Sequence, residues 1–130
     1  MSLRAVSAAL AVAACGGPTL EPAEIDRDCA PLYEPTFANV FDQTLVGKCA
    51  VEGACHRGPD ARRGLRLDEI DVAHGLRLQQ DRVIPGDPEH SEVTMRIYTE
   101  HDELLMPPGE RLSDAEACAV ALWIAEGAEP

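Results

Sequence analysis

The sequence predicts a small all-α domain of about four helices. Three observations lead there: four segments carry helical periodicity or helix-start signals, no stretch alternates apolar and polar residues as a half-buried strand would, and the connections are rich in Gly and Pro. With 130 residues there is room for one domain. Aromatic content is only 4%, so an interior built from roughly a hundred residues is thin in large side chains. Something besides side chains is expected to stabilise it.

Taken in order, residues 1–14 hold one basic residue, Arg4, and then a run of small apolar residues ending at Val12-Ala13-Ala14. The run is too short to cross a bilayer as a helix and reads as a signal peptide. Small residues followed at once by Cys15 resemble the lipobox of bacterial lipoproteins, which makes Cys15 the expected lipidation site and the mature protein exported, to the periplasm or outer membrane, on a lipid anchor. Residues 15–35 contain Pro18, Pro22, Pro31 and Pro35 and little periodicity, and read as a tether; the folded domain is expected over 36–130.

Thr36 can cap a first helix whose Phe37, Val40, Phe41 and Leu45 share one face, with Gly47 as its stop. The Gly-, Pro- and Arg-rich stretch 56–66 reads as loop. Asp68 can cap a short helix through Ile70, Val72 and Ala73 that ends at Gly75. Gly86-Asp87-Pro88 is a start signal, with Asp87 as cap and Pro88 in the first turn of a helix reaching about Tyr98 and facing inward through Val93 and Ile97. Met106-Pro107-Pro108-Gly109 cannot be helical. Ser113-Asp114-Ala115-Glu116 is a capping box, opening a helix that is apolar on most sides and stops at Gly127.

The formal net charge is −12, and such a surface offers no cationic footprint to nucleic acid. It would attract a basic protein partner. No nucleophile–base pair, phosphate loop or paired carboxylates stand out, so no enzyme chemistry is expected. In an oxidising compartment the cysteines left after Cys15 are Cys29, Cys49, Cys55 and Cys118, an even set open to disulfides or to a cofactor. A bridge between Cys29 and Cys118 would close a long loop and stabilise on the order of 4 kcal/mol in the chain-entropy picture.

The chemistry concentrates in Cys49-Ala50-Val51-Glu52-Gly53-Ala54-Cys55-His56. Two cysteines and an adjoining histidine are the attachment signature of a c-type haem, whose usual spacing is Cys-x-x-Cys-His; here five residues separate the thiols. A thioether from Cys55 delivers the imidazole of His56 to the iron, and Met106, fifty residues on in a rigid Pro-Pro segment, offers a sulfur for the other face. Three states stay open on the residues: haem held through Cys55 with or without Cys49; a haemless domain with Cys49 in a disulfide; and a metal site on Cys49, Cys55 and His56, which lacks a fourth ligand at zinc-like spacing. His74, His90 and His101 sit among polar residues and read as solvated, Met95 and Trp123 as core, and Glu100, Asp102 and Glu103 as wet surface.

Cys55-His56, then Gly64-Leu65-Arg66-Leu67, Ile84-Pro85-Gly86-Asp87-Pro88-Glu89-His90-Ser91, Met106-Pro107-Pro108-Gly109, Leu112-Ser113-Asp114 and Trp123-Ile124-Ala125-Glu126-Gly127-Ala128 together resemble the small planctomycete-type cytochrome c domains. The resemblance spans 36–128. It implies a cytochrome c-like fold around a haem pocket, His56 as proximal and Met106 as distal iron ligand, covalent haem c, and one-electron exchange with redox protein partners having a basic docking face. The rival function is a haemless, disulfide-stapled lipoprotein acting as a structural or binding module.

Overall fold

The computed structural model describes residues 16–51, 55–76 and 81–130. The expected signal peptide and Cys15 lie outside them, as do 52–54 between the two cysteines. Within the described residues the chain is helical without strands: α1 (Phe37–Val40) runs directly into a π-helix (Phe41–Cys49), followed by a 3-10 turn (Arg62–Gly64), α2 (Ile70–Leu76), α3 (Glu92–Tyr98) and α4 (Asp114–Ala125). No helix among them is long and apolar enough to cross a membrane.

Thr36 caps α1 as its chemistry requires, its hydroxyl accepting from the Asn39 amide at 3.3 Å. The helix does not stop at Gly47. It widens instead, the Ala50 amide reaching back five residues to the Leu45 carbonyl at 2.8 Å. Burial of Ala50 and a bond from Lys48 to α4 outweigh the cost of a glycine inside the helix.

Gly86-Asp87-Pro88 opens a turn rather than the helix. Asp87 Oδ1 accepts from the His90 amide at 3.1 Å, and buried Ser91, in an extended conformation, donates to the Asp87 carbonyl at 2.8 Å and accepts from the Ile84 amide at 2.8 Å. These bonds hold Ser91 out of helical geometry, so α3 starts only at Glu92.

The helices close on one core. Phe37, Val40, Phe41 and Leu45 from the first helix meet Val120, Trp123 and Ile124 from α4, with Val93 and Ile97 of α3 packed against them. Phe37 is central: its ring centroid lies 5.1 Å from Trp123, 6.1 Å from Phe41 and 4.8 Å from His74. His74, expected in solvent, is half-buried on this aromatic face. α4 ends as its sequence suggests, Gly127 at φ +114° directing its amide to Ile124 and that of Ala128 to the Trp123 carbonyl.

The segment read as a tether docks from Ala23 onward. The Ala23 amide donates to the Glu89 carbonyl at 2.8 Å, Arg27 grips the Glu89 carboxylate with both oxygens within 2.9 Å, and the Leu32 amide reaches the Ala115 carbonyl at 2.8 Å. A disulfide joins Cys29 to Cys118. Proline-rich composition predicts the missing helix correctly but says nothing about docking, which depends on residues sixty to ninety positions away.

The capping box is half made. Ser113 accepts from the Glu116 amide at 3.2 Å, but the Glu116 side chain turns inward, 2% exposed. It accepts from Thr44 at 2.8 Å and from Lys48 at 2.5 Å, and Thr44 in turn shares a hydrogen bond with the Tyr33 hydroxyl. One carboxylate thereby ties the docked segment, the π-helix and α4. Lys48 is about half in water, so the ion pair itself is worth little; the larger effect is the buried Thr44 hydroxyl, which loses its acceptor and with it the chain of hydrogen bonds that runs on to Tyr33. Glu116→Ala is expected to cost about 2–3 kcal/mol in urea unfolding and Glu116→Gln about 1 kcal/mol. Equal costs for the two variants would show that the carboxylate is not the acceptor that matters.

Candidate functional site

The loop after Cys55 is fixed by its backbone. The His56 amide donates to the Cys49 carbonyl at 3.0 Å, the His56 carbonyl accepts from Leu67 at 2.8 Å, and the Cys55 carbonyl accepts from Arg62 at 3.0 Å. The first of these bonds places the two cysteine-bearing segments side by side although five residues separate the thiols in sequence. The imidazole is then oriented: Nδ1 lies 3.1 Å from the Leu65 carbonyl. A carbonyl only accepts, so Nδ1 bears the proton and the Nε2 lone pair is the ring's donor. Burial, opposed by hydrogen bonds to Leu65 and Arg62 and reinforced by the charges of Arg82 and Arg96, holds the imidazole below its ordinary pKa. At neutral pH it is an uncharged Lewis base.

Met106 comes from a non-helical loop anchored to α3. Its amide donates to the Arg96 carbonyl at 3.1 Å, while the Arg96 side chain donates to the Leu104 carbonyl at 3.3 Å and to Glu92 at 2.8 Å. The Met106–Pro107 bond is cis.

His56 and Met106 border the same three cavities, of about 290, 90 and 280 Å³. The smallest reaches into the core between Phe37, Leu67, Val83, Val93 and Trp123. The third brings together all four residues singled out for a cofactor, Cys49, Cys55, His56 and Met106, with Pro107, Pro108, Lys48 and Arg62. Cys49 and Cys55 are both free thiols, so the disulfide alternative for Cys49 is not what the fold adopts. Burial first, then the Glu116 carboxylate and Cys55, push the Cys49 thiol up to about 12. Among the described residues no three His, Cys, Asp or Glu side chains converge as a metal site, which leaves the Cys49–Cys55–His56 metal reading without support.

His90 and His101 are exposed, the former paired with Asp87 at 2.9 Å, and neither borders these cavities. Sequence reasoning missed the arginines. Arg62, Arg63, Arg82 and Arg96 line the first cavity, and their only signal in the chain is the concentration of arginine between 57 and 96 in a protein that is otherwise strongly acidic.

Residues 53–110 match the family model described as planctomycete cytochrome C, which supports a planctomycete-type cytochrome c-like domain there. The match includes Cys55, His56 and Met106 and begins after Cys49. Neither a curated protein nor a solved structure matches the chain.

Proposed function

We propose that the protein uses this cytochrome c-like segment to hold one covalently attached haem and pass single electrons between partners outside the cytoplasm. The observation that carries the reading is that a neutral, oriented imidazole and a thioether line the same cavities, one of them apolar and another lined also by two free thiols. These donors fit haem c chemically: Nε2 of His56 and the sulfur of Met106 would hold its iron, and Cys55 would supply a thioether beside the histidine. Cys49 lies at the same edge and is the second attachment point in this reading.

Bound there, haem supplies a reversible one-electron iron couple whose potential a thioether ligand raises. The chain's part is positional. Leu65 fixes the tautomer and plane of His56, Arg96 anchors the Met106 loop to α3, and the Phe37–Trp123 face keeps water from the inner edge. With both His56 and Met106 committed as ligands, no position would be left at the iron for a substrate, which makes the protein a carrier in this reading. The acidic surface suits a basic redox partner, and acylation of Cys15 would keep the carrier at a membrane, periplasmic or outer.

The test is one preparation. Exported in cells equipped for c-type maturation, the full chain is expected to be coloured, to show a low-spin haem spectrum, and to retain haem mass after denaturation. A colourless protein of unmodified mass would reject the proposal in favour of a haemless surface module.

A further inference from the structure

The slot has a charge that the rest of the molecule lacks. In a chain of net charge −12, the cavity of about 290 Å³ is bordered by four arginines and one carboxylate, Glu92. Among the described residues no carboxylate borders the other two cavities that His56 and Met106 share. Glu92 is already engaged, accepting from Arg96 Nε at 2.8 Å.

Arg82 is the informative member. It is 5% exposed, its Nη2 donates to the Arg63 carbonyl at 2.7 Å, and among the described residues no carboxylate lies within ion-pair distance of it. A guanidinium has five donors, and a buried cation without a countercharge is costly. Arg82 and Arg96 border both the polar cavity and the apolar one. A molecule filling both therefore needs an apolar body and an anionic end.

We propose that Arg82 and Arg96 form a carboxylate clamp that takes the propionates of the porphyrin held between His56 and Met106, with Arg63 at its outer rim. The assignment rests on the haem reading and deepens it: the apolar slot receives the macrocycle, and the arginines fix which edge points outward and keep its carboxylates ionised. Arg96 serves both ends, since its carbonyl holds the Met106 amide and the same residue borders the polar cavity.

The probe is mesoporphyrin IX, metal-free, against its dimethyl ester, titrated by fluorescence into the full chain purified without maturation. The diacid is expected to bind tighter by on the order of tenfold or more, the size of a charge-assisted pair. That preference is expected to collapse in Arg82→Gln and in Arg96→Gln and to survive in Arg82→Lys. Equal affinity of the wild-type chain for diacid and ester overturns the clamp without any variant, as does a preference that both Gln variants retain. If neither porphyrin binds, the clamp falls on its own, because the diacid carries the carboxylates it is proposed to hold; the haem reading, which rests on iron ligation and thioether attachment, is decided separately by the maturation experiment.

Discussion

Replacing His56 by alanine is expected to abolish stable haem incorporation, the all-or-none effect among the substitutions considered. The expectation follows from how much of the local structure exists to hold one ring. Three backbone bonds pin residues 55–67 around it, a carbonyl fixes the proton on Nδ1, and burial keeps the ring neutral. No other histidine is placed to replace it. His74 packs at a tilt against Phe37, and His90 and His101 are exposed and border none of the three cavities. Haem mass and visible absorption of the matured variant, read beside its far-ultraviolet circular dichroism, are the measurement. A helical, colourless product is the expected result. A variant that keeps the wild-type absorption would remove His56 as the ligand.

What the sequence made legible is what short-range chemistry decides. Thr36 and Ser113 cap the helices they precede because a hydroxyl and an amide three residues apart meet without help from the rest of the fold. Gly127 ends α4 for the same kind of reason: only glycine adopts that backbone angle at no steric cost. Where distant residues decide, local signals mislead. Gly47 looks like a stop, yet Lys48 has a partner sixty-eight residues away and Ala50 has a place in the core.

Glu116 looks like the second half of a capping box, but the nearest buried donors belong to the π-helix. Asp87-Pro88 carries a true start signal whose turn is then captured by Ser91. Within the site, Cys49, Cys55, His56 and Met106 were readable because their residue types are rare and chemically specific. The arginines were not, since on an acidic chain a guanidinium reads as surface until its burial is seen. Arg82, 5% exposed, is invisible as a site residue in one dimension.

Loss of the Cys29–Cys118 bridge is expected to be the largest purely structural effect. The two residues are 89 positions apart, so the bond encircles nearly the whole folded part, and removing it frees the unfolded chain by on the order of 4 kcal/mol in the loop-entropy picture. On a domain whose total stability is about 5–15 kcal/mol, that is a major share. The native side has its own stake, because the bridge clamps the proline-rich segment onto α4 beside Glu116 and lets Tyr33 reach Thr44. The Cys29→Ser/Cys118→Ser double variant should therefore shift the urea midpoint further than Glu116→Ala, with a steeper denaturant dependence, since an uncrosslinked chain exposes more surface on unfolding. Cys118 is 1% exposed, so under reductant the native bond opens by attack at Cys29 or after local detachment of the docked segment. A double variant within about 1 kcal/mol of the parent would mean that the docked segment holds itself in place without the covalent link.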